Sequence, residues 1–155
     1  YMLAVMTAIA CLATGTLSIA RECVSDYQMY AASDVEAAQY VEENTDRDST
    51  FICWTQHINP VSALAGRRIV CGPSLWLTFH GYDLSTREMD ISAFYADPAG
   101  NESVLQKYDV DYILLGDYER YELHASQATL DALYPLVFES SDGRIRIYQV
   151  TESHG

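Results

Sequence analysis

Asp111-Tyr112-Ile113-Leu114-Leu115-Gly116 is the most apolar short run in the body of the chain. A run of this length, ended by Gly and rich in branched side chains, predicts a strand buried on both faces. Such a strand sits at the centre of a sheet and needs helices above and below it. Working outward, the neighbouring segments supply both. Residues 33–44 (SDVEAAQYVEEN) open on Ser33-x-x-Glu36, a capping-box pattern, and place Val35, Ala38 and Val41 along one helical side. Residues 50–54 (TFICW) and 68–71 (RIVC) are short and β-rich, divided by the Asn59-Pro60 break and Gly66, and the second is ended by Gly72-Pro73. Ser85-x-x-Glu88 is a second capping pattern, opening a helix that turns Ile91, Phe94 and Tyr95 inward. Asn101 is expected to cap a short helix carrying Val104, Leu105 and Tyr108. A helix over residues 126–134 is stopped by Pro135, and residues 137–139 and 144–150 are joined by Ser140-Ser141-Asp142-Gly143, a hairpin signal. The reading is a single small α/β domain with a mixed, largely parallel sheet ending in a β-hairpin.

The start of the chain is different in kind. Residues 2–20 (MLAVMTAIACLATGTLSIA) contain no charge, Pro, Asn or Gln. As a helix this run is roughly 28 Å long, close to the hydrocarbon thickness of a bilayer. Its polar members, Thr7, Thr14, Thr16 and Ser18, can bond back to helix carbonyls, and no face is polar. A secretory signal would need a basic leading region, and a buried core helix is usually shorter. The expectation is one transmembrane helix over residues 1–22, anchoring the chain in membrane lipid, and a soluble domain over residues 23–155. The chain begins at Tyr1, and the expected parent is a longer protein. The flank Arg21, Glu22, Asp26 lacks the Lys/Arg excess of a cytoplasmic loop, which places the domain on the extracytoplasmic side of the cell membrane.

The formal charge of −13 falls entirely on residues 23–155, since residues 1–20 are uncharged and Arg21 and Glu22 cancel. A domain this acidic repels phosphate backbones, so nucleic acid is excluded as a partner. Cys53 and Cys71 fall in predicted strands; the choice lies between a disulfide and two buried free thiols, and the second is favoured. No Cys/His spacing suggests a metal, and no Walker loop, GxGxxG, GxSxG or HExxH is present. No cofactor and no catalytic residue are assigned.

Two clusters carry candidate binding residues. Residues 66–87 gather Trp76, His80, Tyr82 and Arg87, and rings beside cations are what a sugar or phospho-sugar site needs. Against this, Trp76 and Phe79 suit a core or a membrane-facing contact, His80 a surface histidine, and Arg87 a local pair with Asp83 or Asp90. The second cluster, Gly116-Asp117-Tyr118-Glu119-Arg120, follows the central strand at the end where α/β ligands collect; its Glu119 and Arg120 also suit an exposed surface ion pair.

The order of these pieces carries a resemblance. It runs His57, Pro60-Val61-x-Ala63-Leu64-x-Gly66-Arg67, Gly72, Trp76, His80-Gly81-Tyr82-Asp83, Arg87-Glu88 and Tyr95. It continues through Tyr108-x-Val110-Asp111-Tyr112, Gly116, Glu119-Arg120 and Ile147-Tyr148-x-Val150. Over residues 35–150 the chain resembles the extracytoplasmic C-terminal domain of multi-spanning prokaryotic membrane proteins of the GT-C glycosyltransferase type. The resemblance implies that the apolar helix is the last of several spans. It also implies that the parent transfers a sugar from a polyprenyl-phosphate carrier, with its acidic catalytic residues in earlier loops. The domain would then be non-catalytic, covering the membrane site or binding a lipid-linked sugar or glycan acceptor through Trp76, His80, Tyr82, Arg87, Glu119 and Arg120. The alternative is a membrane-anchored extracytoplasmic binding module without enzymatic activity; a stand-alone soluble enzyme would need a deep pocket holding a strongly perturbed acid, base or nucleophile.

Overall fold

Strand β3, Tyr112–Leu115, is the middle member of a five-stranded sheet of order β2-β1-β3-β5-β4. A computed structural model describes residues 1–151; the last four residues of the expected domain lie outside them. β1 (Thr50–Ile52) runs parallel to both β2 (Arg68–Ile69) and β3, while β5 (Arg146–Gln149) is antiparallel to β3 and to β4 (Leu136–Glu139). The sheet is therefore mixed, with its hairpin at one edge, as expected. The strands are shorter than their apolar runs, because Cys53 and Cys71 continue into the core beyond the last ladder pairing.

Period-two alternation splits β3 between two cores. Ile113 and Leu115 face a layer built on α4 (Ser85–Ala96), α5 (Ser103–Lys107) and α7 (Gln127–Leu133), with Ile91, Phe94, Leu105 and Leu130. Leu114 faces α2 (Ala32–Asn44) and a π-helical turn, Pro60–Leu64, through Ala37, Val41 and Val61. Burying each of these β3 side chains contributes about 1.5–3 kcal/mol. Tyr95 ties the first of these layers to the sheet. From α4 its hydroxyl lies 2.9 Å from the carbonyl of Ile52 and 2.6 Å from that of Leu114, at the adjoining ends of β1 and β3.

The cap assignments change. Ser33 lies inside α2 and is buried; the N-cap is Ala31, whose N–H donates to the Asp34 carboxylate at 2.8 Å. Asp34 is the acid one turn from the true start. Glu36 is thereby released to accept from the Ser141 N–H and hydroxyl, both at 2.7 Å, which ties α2 to the hairpin turn. At α4 it is Asp83 that accepts from the Ser85 N–H and hydroxyl (3.0 and 2.7 Å). Asn101 does not cap α5: its side-chain amide donates back to Ala93 and Asp97 at the end of α4. The hairpin turn closes at Gly143, whose φ of +70° is a region L side chains rarely adopt.

Helix α1, Met2–Val24, continues slightly past the expected boundary. Its 23 residues correspond to about 34 Å of helix, and it is long and apolar enough to cross a membrane. The Thr7, Thr14 and Thr16 hydroxyls donate to carbonyls three or four residues back, as expected. None of its residues is buried and none joins either core.

Replacing Tyr95 by Phe leaves the ring in place and removes the hydroxyl that serves both strands. We expect the domain to lose about 1–2 kcal/mol, read as a lower urea midpoint with unchanged slope; an unchanged midpoint would show that the bridge is dispensable.

Candidate functional site

A crevice of about 230 Å³ opens at the carboxyl ends of β1 and β3. Its position follows from chain direction: α2 leads into β1 and α6 (Asp117–Tyr121) follows β3, so both helices start at that end. The crevice is lined by Ala31, Ser33 and Asp34 from the start of α2, and by Gln56, Ile58 and Asn59 from the loop after β1. Gly116, Asp117, Tyr118, Glu119, Arg144 and Ile145 complete it.

Glu119 forms its floor. Its side chain is buried, with one carboxylate oxygen accepting from the Trp54 N–H at 2.9 Å and the other from the Gly116 N–H at 2.8 Å. Trp54 lies two residues past the end of β1 and Gly116 is the first past β3, so one carboxylate ties the two strand ends together. Gly116 permits the approach, since a Cβ there would lie 3.1 Å from the carboxylate. Burial pushes the Glu119 carboxyl above its usual range, and the bonds from the Trp54 and Gly116 amides work against that shift. Beside it, Asn59 donates to the Cys53 sulfur at 3.1 Å and accepts from the Val61 and Ser62 amides, opening the π-helical turn. Burial raises the Cys53 thiol well above its ordinary value and pushes Cys71 up to about 11. Both are buried and free, and neither supplies a thiolate at neutral pH. On the rim, Arg144 is held against Asp117 by its Nε at 2.9 Å.

The six residues expected to bind substrate occupy four settings. Glu119 alone lines the crevice, and it is not the exposed partner of Arg120 that the sequence suggested. No Glu119–Arg120 ion pair exists among the described residues. In α6 successive side chains point about 100° apart, so Glu119 turns in while Arg120 turns toward the Arg144 carbonyl and the Gln127 side chain. Trp76, His80 and Tyr82 are exposed on and just after α3 (Ser74–Phe79). Trp76 stacks on His57 with ring centres 4.2 Å apart. Tyr82 lines a second, wide-mouthed hollow with Asp83 and Glu88. Arg87 pairs with neither Asp83 nor Asp90: it donates to the Val70 carbonyl and lies 5.1 Å from the centre of the Tyr108 ring. Asp90 is taken by Lys107 at 2.6 Å and by the Tyr108 hydroxyl, which hold its carboxyl below the usual range.

The loop 54–59 joins the two regions, with Gln56 and Ile58 in the crevice and His57 on Trp76. Sequence reasoning did not find Asp34, Gln56, Asn59 or Arg144. Asn59 was visible as Asn before Pro, a capping signal, but was read only as a chain break. No group of His, Cys, Asp and Glu able to hold a metal occurs among the described residues.

No family model matches this chain, and no curated protein sequence matches it. Among solved structures it is similar to the crystal structure of the C-terminal globular domain of oligosaccharyltransferase from Archaeoglobus fulgidus. The TM-score is 0.55 at 14% sequence identity, and the superposition covers 79% of this chain and 99% of that one. At this identity the likeness is one of fold. The chain thus has the fold of an oligosaccharyltransferase C-terminal globular domain, entered from an apolar helix.

Removing the Glu119 carboxylate strands two buried amides. Glu119→Ala is expected to cost about 2–4 kcal/mol. Glu119→Gln keeps one acceptor but sets an NH2 against the other amide, and should fall between wild type and Ala. Equal stability of all three proteins in urea unfolding would contradict the strand-tying role.

Proposed function

We propose that this chain is the C-terminal part of a membrane glycosyltransferase of the GT-C type, with α1 as its last transmembrane span and residues 23–155 as an extracytoplasmic domain. The domain is not catalytic by itself: it covers the membrane-embedded site and contributes to acceptor binding. The sugar reaches that site on a polyprenyl-phosphate carrier. One observation carries this reading. The fold likeness takes in nearly the whole of an oligosaccharyltransferase's C-terminal globular domain, and here that fold is entered directly from a span-length apolar helix.

The chemistry gives such a cover a task. A glycosyl phosphate is an activated donor that water can attack in place of the acceptor, so a lid that excludes water favours transfer over hydrolysis. Binding the acceptor beside the donor adds the benefit of fixed orientation. The crevice suits the second role: Asp34 and Gln56 offer polar contacts to a hydroxylated or amide-bearing acceptor. The exposed rings of Trp76, His80 and Tyr82 offer contacts to a lipid-linked sugar at the membrane surface, Trp76 with the face that His57 does not cover. Glu119 acts by shaping the floor, while Arg87 and Arg120 hold their own loops in place.

A second reading, a membrane-anchored binding module with no enzymatic parent, is favoured by the exposed aromatic set of α3. The reading frame upstream of Tyr1 separates the two: further hydrophobic spans support the first, and a nearby start codon the second.

Because α1 contributes nothing to either core, residues 25–155 should fold when released from it. We expect membranes containing the intact protein to transfer label from a polyprenyl-phosphate sugar, membranes lacking residues 25–155 to lose transfer, and the isolated domain to show none. Transfer or donor hydrolysis by the isolated domain would overturn the non-catalytic assignment. For sidedness, Cys53 and Cys71 are buried and Cys11 lies mid-span, leaving Cys23 for a membrane-impermeant maleimide. It should label from the extracytoplasmic face, and labelling only after permeabilisation would reverse the orientation.

A further inference from the structure

Helix α3 leaves a set of large apolar side chains in the open that neither core absorbs. Leu75 is 67% exposed, Trp76 57%, Phe79 82% and Tyr82 61%. Leu77 alone turns inward, toward Gly72. Residues 74–82 carry no Asp, Glu, Lys or Arg in a domain that bears all of the chain's net charge of −13. The titratable groups around this set are His57, stacked on Trp76, His80, and Asp83 and Glu88 across the hollow beside Tyr82. Trp and Tyr with an apolar body and a polar tip, next to Phe and Leu, are the side chains of a membrane–water interface.

The position of the set agrees with that chemistry. α3 follows β2, so it lies beyond the carboxyl end of the parallel strands. The chain arrives from α1 at the same end, because Ala31 and Ser33 line the crevice there with Gln56 and Ile58, whose neighbour His57 stacks on Trp76. Only residues 25–31 separate α1 from α2, and seven extended residues reach at most about 25 Å. A domain on so short a tether is held at high effective concentration beside the bilayer, so a small apolar face suffices to orient it.

We propose that the carboxyl end of the parallel strands faces the bilayer, and that Leu75, Trp76, Phe79 and Tyr82 insert into its interfacial layer. This rests on reading α1 as a membrane span, but not on any transfer activity. The acidity of the rest of the domain keeps its other faces off an anionic surface, so the aromatic face also fixes which side looks at the lipid. Insertion to about 5–10 Å, the depth of an interfacial apolar face, would bring the crevice toward the membrane surface.

The test uses the chain with α1 intact in phosphatidylcholine vesicles, and reads the emission lost in Trp76→Phe as the Trp76 component. We expect that component to be blue-shifted, quenched when the lipid carries bromine on its acyl chains, and shielded from aqueous iodide. Quenching by iodide but not by bromolipid would overturn the proposal, placing the face in water. Shielding from both would also overturn it, since another protein surface would then cover α3. Extraction by alkaline carbonate separates the failures: a chain released by carbonate loses the span reading and this proposal together. A retained chain with unquenched Trp76 loses only this proposal.

Discussion

One buried carboxylate organises the end of this fold where the crevice and the exposed aromatic side chains of α3 lie. Glu119 is removed from water, and an isolated buried charge would be prohibitively unfavourable. It is tolerated because its oxygens meet the Trp54 and Gly116 amides, which no ladder partner reaches once β1 and β3 have ended. The same contacts set the start of α6, favour glycine at 116 and close the floor of the crevice. At the same strand ends the Tyr95 hydroxyl joins the carbonyls of Ile52 and Leu114. The two strand ends are thus held twice, by an acceptor for their amides and a donor for their carbonyls.

Charge and apolar surface are divided sharply between parts of the chain. The span-length helix carries no buried residue and the domain carries the acidity. Between these extremes stands α3, uncharged and aromatic, at the end of the domain where the tether enters. The arrangement suits a part that works against a membrane-embedded site. In the proposed reading the acidic surface would stay off anionic lipid and the apolar face of α3 would set one orientation, with the polar crevice at that same end.

Much of the fold was legible in the sequence because its central elements are decided by their own composition. The run from Asp111 to Gly116 reads as a buried strand by its shortness and its closing glycine, and Ile91, Phe94 and Tyr95 mark the inward side of α4 without help from context. What was not legible depended on neighbours. Ser33 and Glu36 have capping spacing, yet Asp34 lies nearer the helix start and Ser141 offers Glu36 a better partner. α3 is too short for its periodicity to distinguish it from a loop. Glu119 and Arg120 read as a surface pair because adjacent opposite charges usually are one; only the helical turn of α6 separates them. Of the site, Glu119 and the aromatic residues were visible, while Asp34, Gln56 and Arg144 reached the crevice through tertiary packing that no local pattern records.

The most direct measurement is a structure of the intact membrane protein in a lipid nanodisc with a polyprenyl-phosphate sugar bound. The expected result has the donor phosphate held by residues outside 25–151, with the carboxyl end of β1 and β3, its crevice and α3 turned toward it. A donor phosphate seated in the crevice and held by the domain's own side chains would contradict the non-catalytic role. A crevice turned away from the membrane would contradict the covering role.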